Sequence, residues 1–277
     1  MSQTHEQLGC ISATESPPRP ILTISGVAKT YGDQDQEASA LLPITAAVYE
    51  GEFVSLVGPS GCGKTTLLKM CAGLIAPSRG SVTYRDTALP IQPGSFGFVF
   101  QSAALLPWRT VRANVMLPAD ILHLSTTNAY NRANELLELV HLGNVATKYP
   151  NQLSGGMQQR VSIARALLHN PEVLFMDEPF GALDAMTREQ LNMELQRISI
   201  NQAKTVLFVT HDIEEAVLLS DRVFVFSNGP GRLVAILRPP TPRPRGLDVK
   251  ADHGFHQVVA EIRALLDGGT DSSRNHP

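Results

Sequence analysis

Three short segments of this chain carry residue types that handle phosphate, metal and water. The first is Gly58-Pro59-Ser60-Gly61-Cys62-Gly63-Lys64-Thr65, which fits the pattern G-x-x-x-x-G-K-[ST]. Its glycines let the backbone turn tightly, so that successive N–H groups point inward at phosphate oxygens. A helix starting at the end of the loop adds the partial positive charge of its N-terminus. Lys64 supplies a full charge to the β- and γ-phosphates, the Thr65 hydroxyl can ligate Mg²⁺, and Thr66 can add a further phosphate contact.

The second segment, Val173-Leu174-Phe175-Met176-Asp177-Glu178, is an apolar run ending in two carboxylates. If the run is a buried strand, both acids stand at the C-terminal edge of its sheet, where α/β proteins bind ligands. Asp177 then reaches a Mg²⁺ shell, and Glu178 can polarise an attacking water as general base. Taken alone, such acids equally fit a solvated strand end. The third segment is Leu153-Ser154-Gly155-Gly156-Met157-Gln158-Gln159-Arg160. Ser154 and two glycines precede a helical pattern with Ile163, Ala164 and Leu167. This is a second helix N-terminus with free N–H groups, fit for an anion or simply for a serine cap.

Positioning these segments requires alternating strands and helices. A strand-like stretch starts with Ile21, Leu22, Ile24 and Val27, and others recur near 41–49, 53–57, 81–84, 96–100, 173–176, 206–210 and 222–226. Helical patterns cover 65–74 and 187–200, the latter with Leu191, Leu195 and Ile198 on one face. The alternation predicts a mostly parallel sheet with helices on both faces. Between about 103 and 153 helical patterns dominate, with Leu136, Leu137, Leu139 and Val140 on one face, so an inserted helical subdomain is expected there. Residues 1–19, ending near Pro17-Pro18-Arg19-Pro20, read as a disordered lead-in. Pro239-Pro240-Thr241-Pro242-Arg243-Pro244-Arg245 reads as a linker to an amphipathic helix carrying Phe255, Val259, Ile262 and Leu266.

Composition excludes several classes. With 277 residues and 43% hydrophobic content the chain can bury a sizeable core. A net charge of −3 argues against bulk nucleic acid as the main partner. Cys10, Cys62 and Cys71 lack metal-ligand spacing and read as reduced thiols. No apolar run approaches the roughly 18 residues of a membrane-spanning helix, and the first twenty residues lack the apolar segment of a secretory signal. A membrane role therefore needs another chain.

In order and spacing, Lys64, Ser154, Asp177 and His211 resemble the ABC-type ATPases, with Leu153 to Arg160 as that family's signature. Met157 stands where the common form has Gln. The likeness runs from about Ile21 to Phe226. It implies a P-loop NTPase (RecA-like) α/β fold: a mostly parallel sheet, an N-terminal antiparallel β subdomain and an inserted α-helical subdomain. The ATPase domain would span 20–238, with the insert at about 103–155, and 239–277 would be linker and helix.

The resemblance also implies roles. Tyr31 is similar to the aromatic that stacks on adenine, and Gly58 through Thr66 hold ATP. Gln101 is similar to the glutamine that touches Mg²⁺ and water and senses a permease. Ser154, Gly155 and Gly156 grip the γ-phosphate of ATP held by a second copy. Gly181-Ala182-Leu183-Asp184 resembles the loop crossing that dimer, with Asp184 its key residue. His211 resembles the switch histidine beside the γ-phosphate and Glu178. ATP and Mg²⁺ are the implied cofactors.

A P-loop kinase or switch GTPase has no need of Leu153 to Arg160. Soluble ABC ATPases usually carry two modules or a long coiled coil, and exporters usually fuse their own membrane helices. An importer ATPase remains. It would lie on the cytoplasmic face of the inner (plasma) membrane and pair head to tail with a second copy. A separate membrane permease would be its direct partner and a solute-binding protein an indirect one. Ala103 to Val111, with the single Trp108, is an apolar stretch suited to a permease helix or to the subdomain's own core. Leu105-Leu106-Pro107-Trp108, Ser227 to Arg232 and Pro242 to Arg245 are similar to nitrate, alkanesulfonate and taurine importers. Importers of thiamine-precursor pyrimidines or aminophosphonates are the related alternative.

Overall fold

The structure is a computed structural model that describes residues 19–32, 38–92 and 94–268. Cys10 and all of the expected lead-in but Arg19 lie outside the described residues. Two sheets organise the described residues. β1 (Pro20–Tyr31), β2 (Ala38–Tyr49), β4 (Arg79–Tyr84) and the short β5 (Thr87–Ala88) form an antiparallel sheet in the order β2-β1-β4-β5. β3 (Phe53–Val57), β6 (Phe96–Val99), β7 (Val173–Asp177), β8 (Thr205–Val209) and β9 (Arg222–Phe226) are parallel. β10 (Leu233–Leu237) adds an antiparallel edge, giving the order β10-β9-β3-β8-β7-β6.

Every residue of β3, β7, β8 and β9 is buried. Strands covered on both faces need no polar alternation, which is why they read as continuous apolar runs. Along this sheet β3, β8, β7 and β6 are consecutive neighbours. The loops leaving their C-terminal ends therefore line up along one edge, and these loops hold Lys64, His211, Asp177 with Glu178, and Gln101.

Helices complete three packed clusters. α1 (Lys64–Cys71) buries Leu67, Leu68 and Met70 against the antiparallel sheet and one face of the parallel one. α2 (Val111–Val115), α3 (Leu117–Leu122), α4 (Thr126–Leu139) and α5 (Gly155–Leu167) build the helical region, and α6 (Ala185–Asn201) packs with them on the other face. In α4 the buried Ala129, Ala133, Leu136 and Leu137 fall on one stripe, as a helix laid on a core requires. α7 (Ile213–Leu219) and α8 (His253–Gly268) form the third cluster, where Phe255, Val259 and Ile262 meet Ala216, Val217, Val223 and Val225.

The proline-rich segment ahead of α8 is bonded tightly to the domain. Arg243 donates to both carboxylate oxygens of Asp221, to Ser199 Oγ and to Gly51 O. Arg245 donates to the carbonyls of Val217, Leu218 and Ser220 at the end of α7, and its backbone pairs with the Gln196 amide in both directions. A cation at a helix C-terminus is electrostatically favoured. Burial lowers the Arg245 guanidinium to about 10, so it stays charged at neutral pH.

Candidate functional site

The phosphate-type loop is held by its own lysine and its own strand. Lys64 is buried, and its Nζ donates to Gly58 O and Pro59 O, both at 2.8 Å. Gly61 and Gly63 have φ of 77° and 94°, conformations that glycine adopts without steric cost. Gly63 is the N-cap of α1 and offers no side chain there, which leaves the first N–H groups of that helix to a ligand. The ammonium, these N–H groups and the helix end together make an anion cradle.

Asp177 and Glu178 leave β7 in different states. Asp177 is only 3% exposed, and its Oδ1 accepts from Thr65 Oγ1 at 2.7 Å. Burial pushes its carboxyl above the ordinary value; the Thr65 bond and the nearby Lys69 and Lys64 act in the opposite direction. A buried carboxylate beside a hydroxyl is an oxygen donor set that a small hard cation fits and would stabilise. Glu178 sits at φ 46°, a left-handed conformation that costs a non-glycine residue about 1 kcal/mol or more. Its N–H is fixed to Val209 O at 2.9 Å, so β8 holds the strained peptide in place. Its carboxylate accepts from Gln101 Nε2 at 3.1 Å and lies 3.7 Å from His211 Nδ1.

Ser60, Gly61, Gly63, Lys64, Thr65, Thr66, Gln101, Glu178 and His211 line one cavity of about 540 Å³, and Ala40 of β2 closes one side. The expectation drawn for these residues thus lands on one place. Ala40 was invisible in the sequence, since a small apolar residue carries no chemical signal. A polar network behind His211 was also missed. Glu215 accepts from Thr210 Oγ1 at 2.6 Å and Asn192 Nδ2 at 3.1 Å, and its N–H donates to Asp212 Oδ1. Asp212-x-x-Glu215 is a helix-start pattern that could have flagged it.

Other expected residues lie elsewhere. Tyr31 ends β1, is 48% exposed and carries Lys29 over its ring; it does not line the cavity. Ser154 caps α5 by accepting from Met157 N, and Asp184 caps α6 by accepting from Thr187 N. Gly156 packs against Leu183 and Ala182, so the signature and the Asp184 loop share one surface. Met157 is partly buried against the helical core, a packing role that does not need an amide. Trp108 is 71% exposed, which excludes it from the core of the helical region. Its loop is pinned from below by the buried Asn114, which bonds Leu106, Arg109 and Thr110. Arg165 of α5 ties down Ala103 and Ala104.

Residues 41–181 match the protein family described as ABC transporter. The chain is 47% identical over 236 residues to the bicarbonate transport ATP-binding protein CmpC of Synechocystis sp., covering 83% of this chain and 35% of that protein. It therefore spans about a third of that relative's length. The nitrate transport protein NasD of Klebsiella oxytoca is 39% identical, with 90% of this chain and 97% of that protein covered. The aliphatic sulfonates import ATP-binding protein SsuB of Bacillus cereus is 38% identical, with 90% and 96% covered. Among solved structures, the dimeric ATP-binding cassette MJ0796 in a post-hydrolysis state with ADP and Pi aligns with a TM-score of 0.73 at 36% identity, covering 78% of this chain and 98% of that one.

Proposed function

The chain belongs to the ABC transporter family, and from that premise we propose that it is the ATP-hydrolysing subunit of an importer for a small anion or organosulfur solute. The observation carrying this reading is the single cavity shared by the phosphate loop, Gln101, Glu178 and His211. ATP lies with its β- and γ-phosphates on the loop from Gly58 to Thr66, and Lys64 exchanges the carbonyls of Gly58 and Pro59 for phosphate oxygens. Tyr31 provides a face for the adenine. Thr65 and Asp177, with Gln101 nearby, are the groups that would hold Mg²⁺, which supplies neutralisation of phosphate charge when bound. Glu178 takes the proton of the attacking water, oriented by Gln101 and His211.

Ser154 to Gly156 and Asp184 stand apart from this cavity because they serve the ATP of a second copy in a head-to-tail dimer. The permease docks on an apolar groove of about 420 Å³ lined by Phe98, Phe100, Ala104, Leu117 and Ile121 beside Gln101. Docking there places a membrane partner one residue from the cavity and puts the chain at the cytoplasmic face of the membrane. Among the described residues no helix is long and apolar enough to cross a membrane itself. The relatives' cargoes, nitrate, aliphatic sulfonates and bicarbonate, bound the substrate class for this chain.

Growth of the source cells carrying Lys64→Ala tests the reading. Nitrate as sole nitrogen source, taurine or alkanesulfonates as sole sulfur source, and limiting bicarbonate form the panel. Failure on one source, restored by the wild-type gene, is expected. Normal growth on all of them contradicts the assigned cargo class.

A further inference from the structure

The turn between β9 and β10 meets the phosphate loop at a glycine. Gly231 is buried in this turn. Its N–H donates to Ala40 O at 3.2 Å, and its carbonyl accepts from Leu42 N at 2.8 Å, so it forms a parallel bridge with β2 at Leu41. On its other side stands Cys62 of the phosphate loop. A Cβ added to Gly231 would lie 1.7 Å from Cys62 O. No side chain fits there, and the carbonyl instead meets the Gly231 Cα directly, in the manner of a Cα–H···O contact.

Two more glycines complete the same node. A Cβ on Gly63 would lie 2.8 Å from Ala40 O, and one on Gly58 would lie 2.9 Å from Phe226 O. Three chain segments far apart in sequence thus meet closely. They are the start of β2, the loop 58–63, and the end of β9 with the turn 227–232. Ser227 closes that turn, its N–H donating to Arg232 O at 3.0 Å and its Oγ accepting from Arg232 N at 3.3 Å. The N–H groups of the loop can face a phosphate only if its carbonyls are turned away and kept there. Cys62 O is turned onto Gly231. Ala40, bonded to Gly231, is also the residue of β2 that lines the cavity.

We propose that Gly231 is a positioning residue for ATP: the turn 227–232 clamps the phosphate loop to β2 and sets nucleotide affinity without touching nucleotide. The proposal rests on the reading of the loop 58–66 as the ATP site. Glu178, Gln101 and His211 follow other strands, β7, β6 and β8, and are not held by this node, so the clamp acts on binding and leaves the hydrolytic step alone.

The test compares ATP hydrolysis by the full chain carrying Gly231→Ala, Ser227→Ala, Gly229→Ala or Lys64→Ala. Gly229 is exposed and an added Cβ would meet only Gly61 O at 3.9 Å, an ordinary contact, so it is the matched control. Gly231→Ala should raise KM for ATP tenfold or more and keep kcat within about threefold. Ser227→Ala should raise KM two- to threefold, and Gly229→Ala should match wild type. If Gly231→Ala does not fold, Ser227→Ala against Gly229→Ala decides the matter. A wild-type KM in a folded Gly231→Ala or in Ser227→Ala, with Lys64→Ala still defective, overturns the clamp and leaves the ATP site standing. A fall in kcat at unchanged KM also overturns it, because general loosening of the fold lowers the active fraction instead of the affinity. Normal ATP binding by Lys64→Ala would instead refute the ATP site itself.

Discussion

The two ends of the parallel sheet treat charge in opposite ways. At the C-terminal edge Glu178 sits in a costly backbone conformation, with one hydrogen bond from Gln101 and a loose approach to His211. At the N-terminal edge Arg243, Arg245 and Asp221 are closely bonded within the fold, and Phe53 N adds a further donor to Asp221. Saturated polar groups hold a structure in one state, because removing any partner strands the others. Unsaturated ones are costly to the free protein and available to a ligand. The proposed function sits where the bonding is incomplete, and stability sits where it is complete.

The largest expected effect tests the open edge. Glu178→Gln should keep ATP binding and lower hydrolysis by about 100-fold or more, the scale of a lost general base. Steady-state phosphate release checks it, and wild-type turnover would remove Glu178 from its role. At the closed edge Arg245→Ala strands the carbonyls of Val217, Leu218 and Ser220 and should cost about 2–4 kcal/mol. That corresponds to a melting temperature lower by roughly 5–10 °C for a domain of this size. KM for ATP should be unchanged in the folded variant; a large shift in KM would mean the two edges are coupled.

The smallest effect probes the ground between them. Burial raises the Glu215 carboxyl above its ordinary value, helped by the charge of Asp212 and opposed by Thr210, Asn192 and Arg188. A carboxyl raised in the folded state costs stability as pH climbs from its unfolded value through its folded one. The neutral amide of a Glu215→Gln variant would lack that cost. Glu215→Gln should therefore gain on wild type as pH rises above the ordinary carboxylate range, where the wild-type carboxyl must ionise while buried. Melting curves across pH check this, and a gap that stays flat with pH would contradict it.

The open edge was largely legible in the sequence and the closed one was not. Lys64, Thr65, Asp177, Glu178 and His211 each follow a recognisable apolar strand, and their chemistry is local to a few residues. Arg243 and Arg245 stood in a proline-rich run that read as a linker. Their partners, Asp221, Ser199, Gln196 and the carbonyls of α7, are scattered along the chain and only the fold assembles them. β10 went unread for a related reason. It is an edge strand with no fully buried residue, so its pattern lacks the burial signal of β7 or β8. Trp108 could be weighed but not placed, because an apolar residue before a helical region fits a core and a docking face equally.

In the proposed mechanism ATP is shared between two copies, one giving Lys64 and Glu178 and the other giving Ser154. The direct measurement is the mass of Glu178→Gln by light scattering with and without ATP. Twice the monomer mass with ATP, and monomer mass when Ser154→Ala or Lys64→Ala is added, is the predicted result. Monomer mass at saturating ATP, or a dimer indifferent to both substitutions, would contradict it.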